Sequence, residues 1–149
     1  MTTQSQSSII TRCPSCGTGN RIPRARLEER PACGRCGQPV FAGVPMDLTE
    51  SSFESAISGG LPVLVDFWAP WCGPCRTMAP EFERATTRLE PRFRTARLNT
   101  EDNPGVSARY DIRSIPTMMV FQDGREVARH SGAVPASEIV RWAEAAVSG

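Results

Sequence analysis

Val63-Leu64-Val65-Asp66-Phe67-Trp68-Ala69-Pro70-Trp71-Cys72-Gly73-Pro74-Cys75-Arg76 is the stretch on which the reading of the chain turns. It begins as an apolar run rich in β-branched residues, the mark of a strand covered on both faces. A single carboxylate, Asp66, interrupts the run. Trp71-Cys72-Gly73-Pro74-Cys75 follows, and Met78, Phe82, Ala85 and Leu89 then recur at helical spacing. Two cysteines separated by two residues, where a strand gives way to a helix, form a redox site in an intracellular chain.

Outward from that stretch the chain alternates strands and helices. Residues 45–50 open with a short strand. Ser51 to Glu54 fits a capping box, which predicts a helix of about two turns ending at Gly59-Gly60. Residues 61–68 form the central strand, and the helix after Cys72 carries Pro80 in its interior. Residues 93–99 read as a strand and 104–110 as a short helix. Thr117 to Phe121 and Glu126 to Arg129 form a hairpin about Gln122-Asp123-Gly124. Pro135 opens a last helix with Ile139, Trp142, Ala143 and Ala146 on its apolar face. The order β-α-β-α-β-α-β-β-α predicts an α/β fold, a central sheet with helices on both faces.

The six cysteines form three Cys-x-x-Cys pairs, Cys13/Cys16, Cys33/Cys36 and Cys72/Cys75. The first two pairs are 16 residues apart, the spacing of a four-cysteine zinc site. Two thiolates from each tight turn supply two corners of a tetrahedron. Apart from Ile22 and Leu27 little between the pairs is apolar, so the segment needs a metal to hold it. Two other readings stay open: dithiols oxidised pairwise within each turn, and nucleic-acid binding through the surrounding arginines. Residues 1–44 carry six arginines and two glutamates, a net charge of +4, without interleaved aromatics, which is a weak nucleic-acid footprint. No nucleic-acid partner is expected.

The expected organisation is a disordered polar tail over residues 1–10, a zinc-binding segment over 11–43 and an α/β domain over 45–149. The opening residues lack the apolar core of a signal peptide, and no apolar run reaches the roughly 18 residues of a membrane span. Residues 1–27 are free of acids, as transit peptides are, but cleavage there would remove the first cysteine pair. A reducing cytoplasm is the expected location, and a monomer the expected state.

With both tryptophans and Gly-Pro in place, the Trp-Cys-Gly-Pro-Cys stretch resembles the active site of the thioredoxins. The resemblance covers about residues 45–149, and the four-cysteine segment before it looks like the bacterial thioredoxin 2 group. It implies the thioredoxin fold preceded by a small zinc-ribbon-like segment. It also implies a protein-disulfide reductase with no organic cofactor, re-reduced by an NADPH-dependent thioredoxin reductase. Cys72, at a helix start where free N–H groups favour negative charge, is expected to attack substrate disulfides as a thiolate, and Cys75 to resolve the mixed disulfide. Asp66 is expected to be the buried base that takes the Cys75 proton. Gly73 and Pro74 set the geometry of the pair, and Gly-Pro there marks reductases rather than oxidants or isomerases. The resemblance places Ile115 and a cis Pro116 opposite the cysteines, Gly132 as a further wall, and Trp71 as an exposed flank. It matches Arg97 to the family's lysine partner of the buried acid, although arginine cannot share the proton. Alternative readings are a redox sensor that releases zinc, and a zinc-ribbon binding module for which the thioredoxin domain is a scaffold.

Overall fold

The computed structural model describes residues 7–148. Seven strands occur in the order β1 (Ser8–Arg12), β2 (Gly19–Pro23), β3 (Met46–Leu48), β4 (Val63–Trp68), β5 (Arg94–Asn99), β6 (Thr117–Gln122) and β7 (Arg125–Ser131). The helices are α1 (Phe53–Ala56), α2 (Gly73–Leu89), α3 (Pro104–Arg109) and α4 (Ala136–Val147), with a 3-10 segment over Arg24–Glu29.

Strands β3 to β7 form one mixed sheet in the order β3-β5-β4-β6-β7. Strand β4 pairs parallel to β5 and antiparallel to β6. Alternation along β4 sends Val63, Val65 and Phe67 to one face, where Phe53, Ala56 and Val106 from α1 and α3 cover them. Leu64 faces the other way, against Met78, Phe82, Ala85 and Leu89 of α2 and Ile139, Val140 and Ala143 of α4. The apolar stripes legible in the sequence are therefore the surfaces that sandwich the sheet. Helix α2 runs unbroken through Pro80. The β6–β7 hairpin turns on Asp123 and Gly124, both at positive φ, as a two-residue turn between right-twisted strands requires.

Three local expectations are corrected. The capping box at Ser51 does not form: α1 begins at Phe53 with Ser52 as its N-cap, and Glu54 pairs instead with Arg109. Helix α1 also stops after one turn, because Gly124 N–H takes the Ile57 carbonyl and the chain turns into Gly59-Gly60. The expected polar tail over residues 1–10 also overlaps a strand. Residues 8–10 belong to β1, which pairs along its full length with β2. Residues 1–6 of that expected tail lie outside the described residues.

The cysteine segment is a β1–β2 hairpin seated on the α/β domain. Ile9, Cys13, Ile22, Cys33 and Val40 share a small core with Leu61, which belongs to the α/β domain. Borrowing Leu61 compensates for the shortage of apolar residues in the segment itself. It docks at Gly59, Gly60, Leu61 and Arg94, the base of β4 and β5, whereas Cys72 follows the top of β4. Six strand residues separate the two ends, about 20 Å.

Candidate active site and metal centre

Strand β4 delivers the redox pair to the sheet's upper edge. Cys72 is the N-cap of α2, and its sulfur accepts the Cys75 N–H at 3.2 Å. This is where a thiolate gains most from unpaired helix N–H groups. Pro74 occupies the first turn of α2, where its missing N–H is tolerated, and Gly73 leaves the turn free of a side chain. The two sulfurs are joined as a disulfide, Cα–Cα 5.2 Å. Cys72 is 4% exposed and Cys75 fully buried, so only Cys72 offers an edge to solvent.

Three elements wall the pair. Ile115 packs against Ala69, Cys72 and Cys75, and its carbonyl lies 3.8 Å from Cys72 Sγ. The Ile115–Pro116 peptide is cis. Gly132 N–H donates to the Pro116 carbonyl at 2.9 Å, tying the start of the next loop to this one. Gly132 has φ 107°, a conformation that favours glycine. Trp71 stands 65% exposed beside the pair, its indole N–H donating to Glu101 at 2.8 Å. Glu101 was not singled out in the sequence, and nothing local points to it.

Asp66 lies on the α2 side of β4, between Leu64 and Trp68, and is fully buried. Burial pushes its carboxyl up to about 6, against the pull of the Arg97 cation. Arg97 sits opposite Asp66 in the parallel β4–β5 register. Its Nε donates to Asp66 Oδ2 at 3.3 Å, and its guanidinium lies 4.3 Å from the Trp68 ring centroid. Asp66 Oδ1 has no hydrogen-bond partner. The carboxylate thus has one oxygen held and one free to accept a proton.

At the far end of the molecule, the sulfurs of Cys13, Cys16, Cys33 and Cys36 lie within 4.8 Å of one another. Cys13 to Cys36 is 3.6 Å and Cys16 to Cys33 is 3.7 Å. A tetrahedral zinc with four thiolates has sulfur–sulfur edges of about 3.8 Å, so these residues fit that ion. The N–H of Cys36, the Asn20 amide and the Arg35 N–H hold the Cys33 thiol down to about 6. At Cys36 the Gln38 backbone is outweighed by burial and the neighbouring thiols, which push that thiol up to about 11, so the four thiols ionise in steps rather than alike.

Comparison with known proteins agrees with both halves. The thioredoxin family model matches residues 44–145. The chain belongs to the thioredoxin family. A second model, described as the N-terminal region of thioredoxin 2, matches residues 12–38, which contain the four clustered cysteines. Thioredoxin C-3 of Corynebacterium nephridii is 43% identical over 135 residues, 90% of this chain and 92% of that protein. The chloroplastic M-type thioredoxin of Chlamydomonas reinhardtii is 39% identical, over 83% of this chain and 91% of its own length. A Synechocystis thioredoxin is 44% identical, over 65% of this chain and 92% of its own length. The thioredoxin domain here is therefore that of a thiol–disulfide oxidoreductase, and a zinc ribbon precedes it. No helix among the described residues is long and apolar enough to cross a membrane.

Proposed function

We propose that the protein reduces disulfides in other proteins through Cys72 and Cys75. The observation that carries this reading is the placement of Cys72 at the N-cap of α2, under the Ile115–Pro116 loop. The Cys72 thiolate attacks one sulfur of a substrate disulfide, forming a mixed disulfide and releasing the substrate's other sulfur as a thiolate. Asp66 Oδ1 takes the proton of Cys75, and the Cys75 thiolate attacks Cys72 Sγ. The second substrate sulfur leaves and is protonated from solvent. Substrate gains two electrons, and the enzyme is left with the Cys72–Cys75 disulfide. Two electrons from NADPH, through a thioredoxin reductase, restore the dithiol. Trp71, the Ile115–Pro116 backbone edge and Gly132 form the groove against which an extended substrate segment lies.

Cys13, Cys16, Cys33 and Cys36 would hold one zinc ion, which when bound cross-links the two turns of the ribbon. The roughly 20 Å of strand between ribbon and redox pair disfavours direct thiol exchange between them. A second reading, a sensor that gives up zinc on oxidation, draws support from the exposure of Cys16 and Cys36, whereas Cys13 and Cys33 are buried. A cytoplasmic location fits the need for a reductase that keeps the pair reduced.

The test is reduction of insulin by the protein with NADPH and thioredoxin reductase, alongside zinc per chain before and after mild peroxide. Turnover lost in Cys72→Ser, with zinc retained after peroxide, is the expected result. Full turnover in Cys72→Ser would overturn the catalytic assignment, and reversible zinc release would favour the sensor.

A further inference from the structure

Arg94 opens β5 and is 2% exposed, an unusual place for an arginine without a full set of partners. Its two hydrogen-bonded nitrogens find their partners in the ribbon, and its Nε is buried without one. Nη1 donates to the Val40 carbonyl at 2.8 Å and Nη2 to the Arg12 carbonyl at 3.4 Å. The guanidinium carbon is 4.7 Å from the Phe41 ring centroid. Glu90, on the turn before β5, stands 3.8 Å from Nη1, and its other oxygen accepts the Gly43 N–H at 3.0 Å. An acid and a base of the thioredoxin domain thus both reach into residues 12–43.

The surrounding surface is built for close contact. Ile10 N–H donates to the Gly59 carbonyl at 2.8 Å. A Cβ on Gly59 would lie 1.8 Å from the Ile10 carbonyl oxygen, so the approach requires glycine there. Leu61 completes the core that contains Cys13 and Cys33. The Arg12 carbonyl that Arg94 holds is also the peptide carbonyl joined to Cys13. Four thiolates around Zn²⁺ would carry a net charge of −2, which a cation held one residue from Cys13 would favour. The buried cation therefore holds the peptide that leads directly into Cys13.

We propose that Arg94 is the residue on which the ribbon docks, and that docking and metal retention are reciprocally coupled: the docked ribbon holds zinc more tightly, and loss of zinc releases the ribbon. This rests on the reading of the four cysteines as a zinc site. By linkage, whatever favours docking must favour metal binding by the same factor. The clasp is distant from the redox pair, so its loss leaves Cys72 and Cys75 in place.

The experiment uses the full-length, reduced, zinc-loaded protein and compares wild type with Arg94→Gln and Gly59→Ala. The first removes the cation, and the second wedges the ribbon off without changing any charge. Transfer of zinc to a chromogenic chelator and hydrogen exchange at the Ile10 amide are followed together, with insulin reduction as the check of folding. Expected are zinc transfer at least tenfold faster in both variants, loss of Ile10 protection, and insulin reduction within twofold of wild type. Zinc transfer within twofold of wild type despite lost protection would overturn the coupling. Unchanged Ile10 protection in Arg94→Gln would overturn the docking role. A wild-type protein that binds no zinc would overturn the metal reading and the coupling with it, while Ile10 exchange would still decide whether Arg94 docks the ribbon.

Discussion

Asp66 and Arg97 face each other across the parallel β4–β5 register, the acid fully buried and the base stacked on Trp68 at the edge of solvent. The pairing leaves one carboxylate oxygen held and one without a hydrogen-bond partner. A carboxyl raised to about 6 in this position is matched to proton transfer near neutral pH, and it is also a cost to the fold.

That cost has a defined pH window. The folded carboxyl binds its proton more tightly than the unfolded one, whose ordinary value is 3.8. Stability is thus highest below pH 3.8 as far as this group is concerned, falls as pH rises to about 6, and is level above. The full effect is ~3 kcal/mol at 1.36 kcal/mol per pH unit. Urea titration of the oxidised Asp66→Asn variant should show a gain of up to that size at pH 8 and none at pH 3.5. The same variant should resolve mixed disulfides more slowly, and equal stability at both pH values would remove Asp66 as a buried charge.

Arg97 pulls the Asp66 carboxyl down against burial. Arg97→Met should therefore move the Asp66 titration to higher pH, read by carbon NMR of the labelled carboxyl. Arg97→Lys, which keeps a cation, should stay near wild type. A titration that does not move in Arg97→Met would mean that burial alone sets it.

The two cysteines should fail in different ways. Cys72→Ser should form no adduct with a disulfide substrate. Cys75→Ser should accumulate a mixed disulfide at Cys72, visible as a stable mass increase that dithiothreitol reverses. Adduct at Cys75 in the Cys72→Ser protein would reverse the assigned roles.

Trp71 is fixed by Glu101 across the mouth of the site. Glu101→Gln weakens that hydrogen bond by about 1 kcal/mol. Its KM for a protein disulfide should rise roughly fivefold with kcat little changed. A fall in kcat at constant KM would place Glu101 in the chemistry instead.

The α1 anchor gives a stability test free of the redox site. Phe53 is fully buried and packs against Phe67, Tyr110 and Phe121. Phe53→Ala should cost about 3–5 kcal/mol in urea unfolding. A cost below about 1 kcal/mol would mean that the one-turn helix does not seal that face of the sheet.

The sequence by itself determined what depends on spacing along the chain. Strand and helix periodicity specified the element order, Cys72 and Cys75 announced the redox pair, and the two earlier pairs announced a four-cysteine cluster. It misjudged the ends of short elements, because α1 is cut off by Gly124, a residue from a distant hairpin. Only the tertiary structure decided which charges meet. The Arg97–Asp66 bond spans 31 positions and the Arg94–Arg12 bond 82. No local pattern distinguishes a solvated arginine from one buried on a ribbon carbonyl. That difference arises only when strand register and domain docking remove the side chain from water, and the energy of a charge depends on that removal.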